Sequence, residues 1–488
     1  MRTSGLPLNA EIESLAYDSR GVESGALFFA LAGSQVDGSR FIDDALRSGA
    51  VASVCSAAVD PPGPALLVRD TARALGIMAS VFFGRPAERV TLTGITGTNG
   101  KTSCAYILES IWKAAGKSVG VMGTINNRCA AFERPSSLTT PSAVELHETL
   151  GEMVSAGCET IAMEVSSHAL SQQRVGGCIF DAAVFTNLTR DHLDYHGDED
   201  SYFGVKRLLF SRYLNRERGV AVINAEDPRC GELEAVAAFA ETWTYSTLAG
   251  APTAVGVGEV DLNLDGLRGT IRVRDRTIAL NSRLMGRVNL SNILAATAAA
   301  AALGEDPACI EEGLRNCALV PGRLERVGVG KPVAIVDYAH TPDALSRTLE
   351  GIKPEVRGRL WVVFGCGGDR DRGKRKLMGE AVANIADVAI LTSDNPRGED
   401  PERILDDIEE GVVSTMPLRT RDELTAPGTA GYVREVQRFD AIKMAMELAA
   451  ETDVVLVAGK GHEDYQERNG VRVRFDDREV LASLRGQS

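Results

Sequence analysis

The chain has 488 residues, 44% of them apolar and 25% charged, an ordinary globular balance that excludes disorder as a description of the whole. Lys plus Arg is 53 and Asp plus Glu is 67, so the formal charge is −14. A protein that works by neutralising phosphates along DNA or RNA carries the opposite balance, and no nucleic-acid partner is expected.

At ~150 residues per domain the length suggests about three domains. The first residues, Met1 to Glu11, lack the apolar core of a secretory signal. Up to residue 88, short β-like runs at 26–31, 51–54 and 65–68 alternate with turn clusters such as Pro61-Pro62-Gly63-Pro64, and the Gly84-Arg85-Pro86 break closes a small α/β domain, 1–88. A strand predicted at 90–96 then runs into a glycine turn and a helix from Lys101 to about Ala115. Further apolar runs at 159–163, 182–185 and 220–223, with helical stretches between them, predict βα units and a mostly parallel sheet in a central domain, 89–321. The near-apolar run 293–303 falls short of a membrane span and reads as a buried helix. After the Val320-Pro321-Gly322 break, runs at 333–336, 360–364, 388–391 and 454–457 alternate with helices, the doubly wound pattern of a Rossmann-like C-terminal domain, 322–488. Nine scattered cysteines without a C-x-x-C pair argue against a disulfide framework or a zinc knuckle and for reduced thiols in the cytoplasm.

The strongest local signal is Thr96-Gly97-Thr98-Asn99-Gly100-Lys101-Thr102. A strand feeding a glycine turn at a helix N-terminus offers backbone N–H groups and a positive dipole end to phosphate. Lys101 would reach the β- and γ-phosphates and Thr102 would offer its hydroxyl to Mg²⁺. The strict G-x-x-x-x-G-K-T spacing is not met, since position 95 is Ile and Gly94 lies one place early. Glu164 ends a strand beside that loop, where a carboxylate suits Mg²⁺; alone it reads equally as an N-cap or a surface acid. The stretch Thr186 to Gly197 sets His192 and His196 among acids, which reads as a metal site or as a polar loop. Lys206, on an amphipathic helix, reads from pattern alone as a solvated lysine. In the last unit four Gly-, Asp- and Arg-bearing stretches begin at Asp337, Gly365, Ser393 and Ala458, and together they point to an anionic, amino-bearing ligand.

In this order, Thr96-Gly-Thr-Asn-Gly-Lys-Thr102, Glu164-Val-Ser-Ser-His168, Asn187-Leu-Thr-Arg-Asp-His192, Asp337-Tyr-Ala-His-Thr-Pro-Asp343 and Asp394-Asn-Pro-Arg397 resemble the motifs of the Mur ligases over nearly the whole chain. The resemblance implies a cytoplasmic, monomeric, ATP-dependent amide ligase of peptidoglycan precursor synthesis, and so a part in cell-wall biogenesis, cell shape and division. It is strongest with members that add meso-diaminopimelate to the D-glutamate side-chain carboxylate of UDP-N-acetylmuramoyl-L-alanyl-D-glutamate through an acyl phosphate. The lysine-adding members and folylpolyglutamate synthetase are the alternatives; a nucleotide-driven motor would need basic partner-binding stripes that the charge does not support.

By motif, the resemblance assigns ATP to Gly97, Thr98, Asn99, Gly100, Lys101, Thr102 and Ser103, with Asn289 and Asn292 at adenine and Arg323 as an inter-domain contact. Ser19, Ser34, Gln35 and Val36 would hold the uridine end of the UDP substrate, and Thr139, Thr140, Ser166, Gln172 and Arg174 the rest of it. Arg370, Asp394, Asn395, Pro396, Arg397, Gly459 and Glu463 would take diaminopimelate. Lys101, Lys206, His192 and Glu164 are the implied catalytic groups, and Mg²⁺ would sit among Thr102, Glu164, His192 and Lys206. In the family that lysine carries CO₂ as a carbamate, which turns a cation into an anion able to approach the metal. This reverses the solvated reading of Lys206. Leu138 stands where some relatives carry Asn, and Gly204-Val205 ahead of Lys206 lowers helix propensity; neither touches an implied catalytic atom.

Overall fold

The computed structural model describes residues 2–5, 10–33 and 36–486. Ser34 and Gln35 of the implied uridine contacts lie outside the described residues. Three main sheets draw their strands from successive stretches of chain, the first five-stranded, the second eleven-stranded and the third six-stranded.

The central sheet is built around the strand Thr91–Thr96, which pairs in parallel with Thr160–Glu164 on one side and Ala182–Phe185 on the other. Those strands are buried almost throughout because helices cover both faces, the condition that makes parallel strands read as largely hydrophobic sequence. Parallel pairing continues through Val220–Asn224, Glu241–Ser246 and Val255–Asn263. Both edges turn antiparallel, through Gly266–Val273 and Arg276–Ser282 at one and the hairpin Asn126–Cys129/Phe132–Pro135 at the other. The run 293–303 falls in the helix Gly286–Ala302 and its C-cap Leu303, and the helix's small alanines let it pack closely on the phosphate-loop helix Lys101–Ala114. Trp112 of the latter is wholly buried, and truncating such a side chain costs about 3–5 kcal/mol.

In the third sheet the order is Glu325–Arg326, Val333–Asp337, Val454–Ala458, Leu360–Phe364, Val388–Leu391 and Gly431–Arg434, parallel except for the first pair. The last strand in sequence therefore sits between the first two long ones, a change of winding direction at which doubly wound sheets bind ligands. All four polar stretches singled out in the sequence leave the carboxyl ends of these strands, side by side. The N-terminal sheet, with strands Ser14–Ala16, Ala26–Phe29, Ala52–Ser56 and Ala65–Val68 in parallel, contacts the central unit through its helix Thr71–Phe82 against Ala143–Ser155.

Candidate active site

The turn after Thr96 depends on two glycines. Gly97 has φ +148°, and a Cβ there would lie 1.9 Å from Thr186 Oγ1; Gly100 has φ +88°, and its Cβ would lie 2.3 Å from Asn292 Oδ1. Only glycine satisfies both the backbone and the space. A neighbouring strand end and the helix Glu199–Leu208 pin the loop: the N–H of Asn99 donates to Asn187 Oδ1 at 3.0 Å, and Thr98 Oγ1 meets Tyr202 Oη at 3.3 Å. Lys101 folds back with Nζ donating to the carbonyls of Gly97 and Thr98, both at 2.9 Å. Burial holds its pKa below the ordinary lysine value, opposed by Glu164.

Glu164, 1% exposed, is the hub of the site. Its carboxylate accepts from Thr102 Oγ1 at 3.0 Å, from Thr124 Oγ1 at 2.9 Å and from the Thr124 N–H at 2.9 Å. Thr124 carries no sequence signal, because it enters from the turn before an edge hairpin that no pattern announces. The Glu164 carbonyl accepts from Thr140 Oγ1 at 2.8 Å, Thr140 Oγ1 accepts from the Ser166 N–H at 3.0 Å, and Arg174 Nη1 donates to the Thr140 carbonyl at 2.9 Å. Arg174 also donates to Gln172 Oε1, and Thr124 Oγ1 to Thr139 Oγ1 at 3.1 Å. Thr139, Thr140, Ser166, Gln172 and Arg174 are thus one polar cluster beside the phosphate loop. Ser19, half-buried in the turn Ser19–Gly21, and Val36, 49% exposed, belong to the N-terminal unit. Leu138 is exposed.

Lys206 is where pattern reading fails. It is 1% exposed, its Nζ donates to the Gly97 carbonyl at 2.9 Å, and it lies 4.5 Å from the Tyr202 ring centroid. Burial, with Lys101 adding to it, holds its pKa well below the ordinary lysine value. The helix Glu199–Leu208 turns this side chain inward onto the phosphate loop, which no amphipathic pattern discloses. The amine meets Gly97 rather than Glu164.

His192, at φ +53°, packs edge-on to His168 at 4.9 Å and has Nε2 3.5 Å from Asp191. Burial lowers its pKa to about 4, so at neutral pH its imidazole is an uncharged donor–acceptor. Among the described residues, no group of three or more His, Cys, Asp and Glu side chains is placed to hold a metal by itself. The oxygens of Thr102 and Glu164 do fit a magnesium ion that brings phosphate oxygens and water as its remaining ligands.

A cleft of ≈ 270 Å³ joins these groups to the third unit. The phosphate loop, Glu164 and His192 line one wall, Asn289 and Asn292 a second, and Arg323, Tyr338 and His340 a third. Asn292 Nδ2 donates to Asn289 Oδ1 at 3.3 Å, fixing both amides. Arg323 stacks on Tyr338 at 4.3 Å.

At the carboxyl ends of the third sheet, Asp394 meets Gly459 and Asn395 meets Glu463, while Arg397 lies against Gly367 and Gly368. A Cβ at Gly459 would lie 2.6 Å from Asp394 Oδ2. Asn395 Nδ2 donates to Glu463 Oε2 at 2.9 Å. Arg397 follows Pro396 in a left-handed conformation, φ +50°, and spends Nη1 on the Gly368 carbonyl at 2.8 Å. Gly367 separates it from Arg370, whose side chain is exposed. The sequence reading missed Arg375, wholly buried, which ties the two loops together by donating to the Gly367 carbonyl and to Glu399, and also bonds Asp407 on the following helix.

The family model of the Mur ligase middle domain matches residues 95–300, that of the Mur ligase glutamate ligase domain 322–461, and that of the Mur ligase family catalytic domain 11–83. The chain belongs to the Mur ligase family. A relative from Gloeobacter violaceus, a UDP-N-acetylmuramoyl-L-alanyl-D-glutamate–2,6-diaminopimelate ligase, is 45% identical over 98% of this chain and 94% of its own. A solved structure of a ligase of that name is 34% identical, with a TM-score of 0.69 over 98% of this chain and 95% of that one. A folylpolyglutamate synthase of Mycobacterium tuberculosis, solved with ADP and AMPPCP, shares the fold at 18% identity and a TM-score of 0.64, over 79% of this chain and 92% of that one.

Proposed function

We propose that this Mur ligase joins meso-diaminopimelate to the D-glutamate side-chain carboxylate of UDP-N-acetylmuramoyl-L-alanyl-D-glutamate, at the expense of ATP and through an acyl phosphate. The observation that carries the reading is the likeness to diaminopimelate-adding ligases over nearly the full chain, at 45% and 34% identity. The folylpolyglutamate synthase leaves about a fifth of the chain unmatched and shares the fold alone.

The chain's own groups have clear tasks under this reading. The N–H groups of the 97–103 turn and Lys101 cradle the triphosphate, and Lys101 exchanges its two carbonyl acceptors for phosphate oxygens. Asn289, Asn292 and Arg323 hold the nucleotide's other end across the cleft. Thr139, Thr140, Ser166, Gln172 and Arg174 orient the muramyl dipeptide so that its carboxylate faces the γ-phosphate, and Ser19 and Val36 contribute from the N-terminal unit. Magnesium, when bound at Thr102 and Glu164, neutralises developing phosphate charge. Lys206 supports the carbamate reading: burial, with Lys101 adding to it, pushes the amine's pKa well below the ordinary lysine value, which favours the neutral form that adds CO₂ with loss of a proton. Its carbamate would add an anion to that of Glu164, and the neutral imidazole of His192 a further donor–acceptor.

The amino acid is recognised across the third unit's strand ends. Meso-diaminopimelate differs from lysine by a far carboxylate, and the planar guanidinium of Arg397 has donors left beyond the Gly368 bond to pair with it. Arg370 supplies a second guanidinium, and Glu463 meets the far ammonium. ATP-dependent phosphate release against a panel of UDP-muramyl peptides and amino acids tests the assignment: release that required diaminopimelate and the dipeptide supports it, and release with lysine at equal kcat/KM contradicts it.

A further inference from the structure

Lys460, directly after the glycine that follows the strand Val454–Ala458, is a fully buried cation, 0% exposed. Its Nζ donates to Asn395 Oδ1 at 3.2 Å and to Glu463 Oε2 at 3.1 Å, and lies 5.2 Å from the Tyr465 ring centroid. Asn395 Nδ2 donates to the same Glu463 oxygen at 2.9 Å, which closes a triangle of three side chains. The Asn395 oxygen also accepts from the Glu467 N–H at 2.9 Å, so Asn395, 2% exposed, is fixed at both ends. Glu463 keeps 21% of its side-chain exposure, and among the described residues no donor is bonded to its Oε1.

A buried ammonium is costly, and a side chain serving packing alone would be better apolar. Here the cost is offset by holding one carboxylate oxygen from two sides and presenting the other. We propose that Lys460 is a positioning residue for substrate selection. It fixes the rotamer of Glu463 so that the free oxygen takes the ammonium at the far end of diaminopimelate. This rests on the amino-acid reading given above. Without Lys460, Glu463 keeps a single neutral donor and swings off the amine.

The experiment compares meso-diaminopimelate with 2-aminopimelate, which has both carboxylates and the reacting amine but lacks the far amine. In the full-length wild-type enzyme kcat/KM favours diaminopimelate. Lys460→Met is expected to lower that preference by about tenfold, the usual reach of one lost charge-assisted bond, with KM for ATP and for the UDP substrate unchanged. Lys460→Gln, which keeps a neutral donor of similar reach, is expected to restore part of the preference and carries the test if the methionine variant fails to fold. Glu463→Gln is expected to lower the preference alone, and adding Lys460→Met to it is expected to lower it no further. Equal loss on both amino acids with the preference intact, or independent losses in the double variant, would overturn the proposal while leaving the amino-acid reading standing. Wild-type enzyme that ligated neither compound would overturn both.

Discussion

Replacing Lys206 by methionine should separate folding from chemistry at one position. The side chain is 1% exposed and, among the described residues, its amine makes one hydrogen bond, 2.9 Å to the Gly97 carbonyl. Losing that bond costs about 1 kcal/mol, but the variant no longer desolvates an amine. Burial lowers the lysine's pKa in the folded state, so between that depressed value and the unfolded value of ~10.4 the unfolded chain binds more protons. Stability of the unmodified wild type therefore rises with pH through that window, by at most ~1.4 kcal/mol per pH unit from this group. Lys101 shifts in the same direction but is present in both proteins, so it cancels in the comparison. In CO₂-free buffer at pH 7 Lys206→Met is expected to be at least as stable as wild type, with the wild type gaining on it as pH is raised to 9. Ligation, by contrast, is expected to fall by about 10²–10³, the usual cost of losing one preorganised electrostatic group. Formate or acetate should restore part of it by standing in for the missing carbamate. Urea unfolding at several pH values and phosphate release read the two effects. Full activity without additives would refute the catalytic role, and a stability difference independent of pH would refute the lowered pKa of the buried amine.

Lys101→Ala removes the cation of the phosphate loop and is expected to abolish ligation; a folded variant with near-normal turnover in the phosphate-release assay would sink the ATP assignment. Gly97→Ala places a Cβ 1.9 Å from Thr186 Oγ1 at φ +148° and should eliminate nucleotide binding in a calorimetric titration while the rest of the chain stays folded; unchanged ADP affinity would contradict the turn's role. Arg438 and Asp477 are a fully buried pair bonded at 2.8 and 2.7 Å. Arg438→Ala strands the carboxylate, and a loss of about 3–5 kcal/mol is expected in urea unfolding; a loss under about 1 kcal/mol would mean the site rehydrates. Arg397→Ala is expected to raise KM for diaminopimelate by about 10–100-fold, the worth of a charge-assisted pair, with KM for ATP unchanged; parallel rises in both would argue for a collapsed loop instead.

What the sequence disclosed follows from how local each signal is. The strands at 91–96, 160–164, 182–185 and 220–224 announce themselves because burial on both faces leaves short, largely apolar and β-branched runs. The strands Val255–Asn263 to Arg276–Ser282 and the hairpin Tyr465–Arg468/Val471–Arg474 carry polar faces at sheet edges or in solvent, and no run marks them. The glycine turn is legible since its glycines, lysine and threonine are contiguous, and the four polar loops of the third unit are readable as loops because each directly follows an apolar strand. Thr124 on Glu164, Lys460 on Glu463 and Arg375 on Glu399 depend on which loops the fold brings together. Lys206 shows the limit most plainly: the same helical spacing describes a solvated lysine and one turned onto the Gly97 carbonyl.

The most direct measurement follows product mass and phosphate release when the purified protein is given ATP, magnesium and UDP-N-acetylmuramoyl-L-alanyl-D-glutamate with either meso-diaminopimelate or L-lysine. Recognition of the far carboxylate predicts one phosphate released per tripeptide product with diaminopimelate, and a kcat/KM for lysine lower by about 10⁴ or more. Comparable kcat/KM for lysine, or ATP hydrolysis without an amide product, would contradict it.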